Sequence, residues 1–153
     1  MNILFVCLGN ICRSPMAESI FKHILVREQV TDEFQVDSAG LIAYHAGELA
    51  DIRMRSHAQN RGYEINHLSR PFVTSDFERF DIIIGMDDQN IKGLTNLAKT
   101  VDNTKKIFRM TDFCQKIKTD NVPDPYYGGS EGFEFVINLL EDACEGLFLK
   151  LKK

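Results

Sequence analysis

One short run in this chain could do covalent chemistry: Val6-Cys7-Leu8-Gly9-Asn10-Ile11-Cys12-Arg13-Ser14-Pro15. A cysteine is followed, after five intervening residues, by Arg-Ser. The apolar stretch Ile3 to Val6 precedes it, and an amphipathic helical pattern opens at Pro15. Strand, tight loop and helix mouth together present a thiol and a guanidinium. That suits one task, which is to hold a phosphate-shaped dianion while sulfur attacks its phosphorus. Amides of a loop feeding a helix converge on an anion, and the helix dipole adds positive charge there. Arg13 offers a planar fork matching two phosphoryl oxygens, which Lys cannot. The same field favours the thiolate of Cys7, the nucleophilic form. Gly9 permits backbone angles that let the loop curl around its guest. Asn10 tolerates left-handed angles, and its amide can tie neighbouring strands together. Ser14 can donate a hydroxyl hydrogen bond to the Cys7 thiolate. Leu8, Ile11 and Cys12 complete a phosphate-binding loop over residues 7–14.

Sulfur attack on a phosphate ester leaves an oxygen that needs a proton. If that oxygen belongs to a phenol, whose pKa is about 10, a nearby acid greatly eases departure. Asp124 is the candidate, in Val122-Pro123-Asp124-Pro125-Tyr126-Tyr127-Gly128. Flanking prolines restrict the backbone and fix the carboxyl. Tyr126 and Tyr127 could wall a cleft for an aromatic ring. On its own, Asp-Pro is equally the mark of a plain turn.

These residues need a scaffold. Residues 2–6 read as a buried strand, and 15 to about 28 as a helix carrying Met16, Ile20, Phe21, Ile24 and Leu25. Residues 34–38 form a second strand closed by Ala39-Gly40, and 50 to about 60 a helix ended by Gly62. A third strand spans 80–85. Asp87 or Asp88 then caps a helix to about 98. A short strand follows at 105–108. The last helix, about 130–151, places Phe133, Val136, Ile137, Leu140, Cys144, Leu147 and Leu151 on one face. Alternating strands and helices predict an α/β protein in three layers, with a parallel sheet of order 2-1-3-4. Ligands in such sheets bind beyond strand C-termini at the switch point beside strand 1. The 7–14 loop follows strand 1, so topology and motif point to one place.

Composition narrows the function classes. The 153 residues suit one domain over 1–153. The formal net charge of −4 disfavours nucleic acid as a partner. No stretch has the length of a membrane span, and no signal-peptide pattern opens the chain. Lys150, Lys152 and Lys153 read as solvating a helix end. Four cysteines without a secretory pattern suggest free thiols and a cytoplasmic location. His23, His45, His57 and His67 are scattered, so no metal and no cofactor are expected.

The chain resembles the low-molecular-weight protein tyrosine phosphatases. The 7–14 loop and Asp124-Pro125-Tyr126-Tyr127 match that family's two signature segments. Further matches include Val36-Asp37-Ser38-Ala39-Gly40, Tyr44-His45-Ala46-Gly47, Ala50-Asp51-Ile52-Arg53-Met54, His67 and Met86-Asp87. The resemblance implies a flavodoxin-like fold and metal-free hydrolysis through a phosphocysteine. Cys7 would be the nucleophile, Arg13 the phosphate clamp and Asp124 the acid, then base. It implies that Asn10, Ser14, Ser38 and His67 form a supporting network, and that Tyr44 and Tyr126 flank the substrate ring. From their own surroundings, Ser38, His67 and Tyr44 read as a strand-end cap, a surface histidine and a core aromatic. The implied substrate is a phosphotyrosine protein or a small aryl phosphate, with inorganic phosphate as product. Relatives with the Cys7–Cys12 pair imply a reversible disulfide there. Tyr44 stands where many relatives carry Trp, Leu49 where bacterial members often have Pro, and Pro71 where Gln is frequent. Arsenate reductases share the scaffold but use further cysteines on a mobile segment, and residues 60–113 contain none. Phosphoarginine phosphatases resemble the chain but place Thr at the position of Ile11. A phosphate-binding module without activity would need neither nucleophile nor acid.

Overall fold

The computed structural model describes residues 1–152, so Lys153 of the C-terminal lysine group lies outside the described residues. Four strands, β1 (Asn2–Cys7), β2 (Gln35–Gly40), β3 (Ile82–Gly85) and β4 (Ile107–Arg109), form one parallel sheet of order β2-β1-β3-β4. This is the expected 2-1-3-4 order. Six helices accompany them: α1 (Arg13–Arg27), α2 (Ile52–Asn60), α3 (Asp76–Arg79), α4 (Asp88–Leu97), α5 (Val101–Thr104) and α6 (Ser130–Leu151).

Alternation along β1 builds both faces. Ile3, Phe5 and Cys7 join the core under α1 and α6, while Leu4 and Val6 join Phe77, Phe80, Ile83 and Leu94 on the other side. With both faces covered, the strand reads as a continuous apolar run. The last helix has the expected bounds, because its apolar stripe is long and unbroken and Phe133, Val136, Ile137, Leu140, Cys144 and Leu147 are all buried. Gly146 on α6 permits a close approach: a Cβ there would lie 1.8 Å from the Phe113 carbonyl oxygen. Helix propensity favours Ala over Gly by about 1 kcal/mol, but overpacking against backbone costs about 1–3 kcal/mol. Gly146→Ala is therefore expected to lower the urea midpoint, and an unchanged or higher midpoint would show that helix and turn separate freely.

Other boundaries move for physical reasons. Helix α1 opens at Arg13, two residues before Pro15, because first-turn amides need no partner inside the helix. Strand β2 runs on through Ala39-Gly40, since Gly40 pairs with Cys7 and exchanges hydrogen bonds with Arg70 and Phe72. Helix α2 starts at Ile52 rather than Ala50, because the Asp51 carboxylate caps it by accepting from the Arg53 amide at 2.8 Å. Strand β3 starts at Ile82 instead of Phe80, and β4 is shifted two residues beyond its expected start. The short helices α3 and α5 have too few turns to show a periodic signal in sequence.

Candidate active site

The loop between β1 and α1 lies at the C-terminal edge of the sheet. Cys7 ends β1 and is buried, with its Sγ 3.0 Å from Ser14 Oγ. Asn10 Nδ2 donates to Ser14 Oγ at 2.7 Å and to Ser38 Oγ at 3.0 Å. The Ser14 oxygen thus accepts from Asn10, and its own hydrogen is left for the Cys7 sulfur at 3.0 Å or the Ala39 carbonyl at 3.5 Å. Asn10 Oδ1 accepts from the Arg70 amide at 3.0 Å and lies 2.9 Å from His67 Nε2, which must therefore be the donor. Ser38 Oγ passes its hydrogen to Glu18 Oε1 at 2.6 Å. These bonds join Ser14, Asn10, Ser38 and His67 in one chain.

The left-handed residue in the loop is Asn10, with φ of 58°; Gly9 does not have a positive φ. The freedom expected of Gly9 is instead used by Asn10, whose side chain is locked by four partners. Gly9 leaves room beside the His45 ring, which a Cβ would meet at 3.3 Å. Gly40 matters more, because a Cβ there would lie 2.9–3.0 Å from backbone atoms of Leu8, Gly9 and Asn10. No residue larger than glycine fits under the loop without moving it.

Arg13 is 2% exposed. Its Nη1 donates to Asp87 Oδ2 at 2.6 Å and to the Val122 carbonyl at 3.0 Å, and its Nη2 lies 3.5 Å from Asp124 Oδ2. Burial on its own works against the Arg13 charge. The Cys7 sulfur, Asp87 and Asp124 outweigh it and raise the pKa above the ordinary arginine value. Asp87 has two tasks, since its other oxygen caps α4 by accepting from the Asn90 amide at 2.8 Å. Asp124 Oδ1 accepts from the Tyr126 amide at 3.0 Å, so this carboxylate sits on a turn of its own making.

Cys7, Leu8, Ile11, Cys12, Arg13 and Asp124 border one cleft of about 340 Å³. Tyr44, Tyr126 and Tyr127 stand on its walls. Tyr44 is 80% and Tyr127 90% exposed, so Tyr44 is no core aromatic. Ile11 is buried yet lines the cleft. His45, expected only as one of four scattered histidines, packs between Tyr44 and Tyr126, with centroids at 4.7 and 6.4 Å. Its only sequence signal is the Tyr44-His45-Ala46-Gly47 match. Sequence reasoning also missed Glu18, whose network partners Ser38 and His67 are distant in the chain, and the contact of Asp87 with Arg13.

Burial pushes the Cys12 thiol well above its ordinary value, with Asp51, Cys7 and Asp124 adding to the effect and Arg53 opposing it. Burial and Asp142 push Cys114 up to about 11, and Cys144 is raised by burial inside the core. Among the described residues, one group of side chains has ligand-type atoms close enough for a cation: Glu18, Asp37 and His67. Their carboxylates already accept from Lys22, Ser38 and Arg70, which makes a hydrogen-bonded charge cluster rather than an open cage.

Comparison with known proteins agrees with this geometry. The family model described as low molecular weight phosphotyrosine protein phosphatase matches residues 2–153. A Synechocystis sp. protein named among the low molecular weight protein-tyrosine-phosphatases is 42% identical over 153 residues, covering 100% of this chain and 98% of its own. A protein tyrosine phosphatase of Entamoeba histolytica has a solved structure that superposes with a TM-score of 0.97 at 51% identity, covering 99% of this chain and 97% of that one. A Drosophila arginine phosphatase superposes at 0.93 with 35% identity, covering 100% and 99%.

Proposed function

The chain belongs to the low molecular weight phosphotyrosine protein phosphatase family, and we propose that Cys7, Arg13 and Asp124 carry its chemistry. It is a cysteine-dependent phosphatase acting on phosphorylated substrates with phosphate as product. The observation that carries the residue assignment is the meeting of those three side chains in one cleft from two distant segments, the 7–14 loop and the 124–127 turn. Cys7 sulfur attacks phosphorus in line with the ester oxygen, forming an S–P bond as the O–P bond breaks. Loop amides and the Arg13 fork hold the equatorial oxygens. Asp124 gives its proton to the leaving oxygen. The resulting carboxylate then takes a proton from water, which attacks the phosphocysteine and returns Cys7. Leu8, Gly9, Asn10, Ile11, Cys12 and Ser14 shape the loop, while Ser38 and His67 hold Asn10. We read residues 1–153 as one phosphatase domain.

The finer substrate class is a phosphotyrosine protein or small aryl phosphate, with Tyr44, Tyr126 and Tyr127 available to a ring. Among the described residues no helix is long and apolar enough to cross a membrane. Four free cysteines favour a reducing, cytoplasmic location. The likeness to an arginine phosphatase makes the competing substrate concrete. Ile11 gives the cleft an apolar surface without a hydrogen bond, which suits an aryl group better than a guanidinium. Wild type is expected to favour phosphotyrosine over phosphoarginine in kcat/KM. Ile11→Thr should move that ratio toward phosphoarginine by about tenfold, within the range that one polar group commands in a closed site. A wild type that prefers phosphoarginine refutes the substrate class; an unmoved ratio refutes only the role of Ile11.

Cys12 is the proposed redox partner of Cys7. Peroxide converts the Cys7 thiolate to sulfenic acid, and Cys12 sulfur displaces water to close the disulfide. Mass spectrometry after peroxide treatment should find the Cys7–Cys12 link, reversible by dithiol. Sulfinic acid at Cys7 beside a reduced Cys12 would refute the pairing.

A further inference from the structure

Asp51 and Arg53, at the start of α2, form a strut between the two halves of the cleft. The Asp51 amide donates to the Ile11 carbonyl at 2.8 Å, which anchors this end of α2 on the phosphate loop. The Asp51 carboxylate grips the Arg53 guanidinium through Nε at 3.1 Å and Nη2 at 3.0 Å. Arg53 Nη2 also donates to the Tyr126 carbonyl at 2.9 Å, inside the turn that carries Asp124. The guanidinium carbon lies 4.9 Å from the centre of the Phe133 ring, which is buried in the first turns of α6, just beyond that turn. It lies 5.4 Å from the Tyr126 ring.

The turn has few other ties. Upstream, the Val122 amide donates to the Met86 carbonyl at 2.8 Å. Within it, the Tyr126 amide bonds to Asp124 and the Gly128 amide to Pro125, and both bonds are internal. Among the described residues, the Arg53 bond is the one hydrogen bond reaching residues 123–128 from another element, apart from the 3.5 Å approach of Arg13 to Asp124; at the far end the Gly132 amide of α6 donates to the Gly129 carbonyl at 3.0 Å. Arg53 itself stands outside the cleft lining.

We propose that Arg53 is a positioning residue for the general acid: through the Tyr126 carbonyl it fixes the 124–127 turn at a set distance from the phosphate loop, and so sets where Asp124 delivers its proton. The proposal rests on Asp124 being the acid. Proton delivery needs donor and leaving oxygen within hydrogen-bond reach, and a displacement of about 1 Å costs on the order of a hundredfold. Attack by sulfur and binding of the phosphoryl group do not depend on that distance. Arg is required because one planar fork must satisfy a carboxylate and a carbonyl at once while its face rests on Phe133. A helix-start arginine that only neutralised Asp51 would have no such selective effect.

The test compares kcat/KM, which reports steps through P–O cleavage, for phenyl phosphate and for a dinitrophenyl phosphate whose leaving group departs unaided. Arg53→Ala is expected to lose about tenfold or more on phenyl phosphate and less than about threefold on the activated ester, with the inhibition constant of inorganic phosphate within about twofold of wild type. Arg53→Ala added to Asp124→Asn should cause no further loss on phenyl phosphate, because the two act through one proton. Equal losses on both esters, phosphate binding weakened in step with activity, or additive losses in the double variant would overturn the proposal. If Arg53→Ala does not fold, Arg53→Lys keeps the charge and stem but not the fork. The same selectivity, smaller in size, then supports the proposal, and wild-type behaviour on both esters overturns it. If Asp124→Asn alone shows no selectivity between the esters, the acid assignment falls and takes this proposal with it. If only Asp124→Asn is selective, Arg53 alone is misassigned.

Discussion

A Cys7→Ser enzyme is expected to lose turnover by on the order of 10⁶-fold, the scale seen when a covalent nucleophile is removed, while still binding inorganic phosphate or vanadate. The geometry separates the two functions. Binding comes from the loop amides and from Arg13, whose direction is set by Asp87 at 2.6 Å and the Val122 carbonyl at 3.0 Å. None of those contacts uses the sulfur. Chemistry does, because a serine hydroxyl is a far weaker nucleophile than a cysteine sulfur, and the nearest hydroxyl, Ser14, already accepts from Asn10 and has no base behind it. Ser is smaller than Cys and equally able to meet Ser14, so the fold should tolerate the change. Equilibrium dialysis or thermal shift with phosphate checks binding, and phosphotyrosine turnover checks chemistry. Substantial activity in a clean preparation would remove Cys7 from the mechanism. Lost binding alongside lost activity would mean that the loop depends on sulfur for its shape.

Asp124→Asn is expected to cost about 10²–10⁴-fold in kcat/KM on phosphotyrosine and far less on an activated aryl phosphate. Asn keeps the shape of the side chain and can still accept from the Tyr126 amide, the bond that places Asp124 at the head of its turn. What it cannot do is release a proton. The penalty must therefore track the basicity of the departing oxygen. It also removes the negative charge 3.5 Å from Arg13, which should tighten rather than weaken phosphate binding. A plot of log kcat/KM against leaving-group pKa, nearly flat in wild type, should become steep in the variant. Parallel lines displaced by a constant amount would mean that Asp124 serves binding or folding and the proton comes from elsewhere.

The sheet order and the last helix are legible in the sequence because each rests on many apolar residues acting together. Ile3 to Val6 and the α6 stripe are long enough to define an element alone. Strand ends are less legible because a strand ends where its neighbour does. Gly40 looks like a terminator, yet it stays in the ladder because residues 70–72 pair alongside it. The three residues proposed to carry the chemistry stand out in the sequence because Cys7 and Arg13 share one loop and Asp124 sits between prolines. Their supports do not. Arg13 meets Asp87 across a separation of 74 residues, and the Arg53 bond to Tyr126 spans 73. No local pattern encodes such a meeting, since the fold alone brings the partners together. Gly9 and Asn10 give a sharper case. Both residue types accept a positive φ, and the choice between them depends on the Ser14, Ser38, His67 and Arg70 contacts that reward Asn10.

The cleft pairs a floor closed to solvent with walls that stand almost free of the protein. Cys7 and Arg13 are 3% and 2% exposed, against 80% for Tyr44 and 90% for Tyr127. For an inhibitor chemist, the two regions call for different strategies. A phosphate mimic meets a loop whose Arg13 and Asn10 side chains are already braced, so its affinity is governed by how well it copies the charge and tetrahedral shape of phosphate. Substituents that climb the walls meet exposed rings in edge-type contact with a neighbouring ring, and any attraction to them must first overcome the entropy of ordering them. Compounds built on the floor alone will cross-react wherever that loop recurs. Discrimination between this enzyme and its relatives has to be won on the walls, first at Tyr44, which is exposed and stands where many relatives carry Trp.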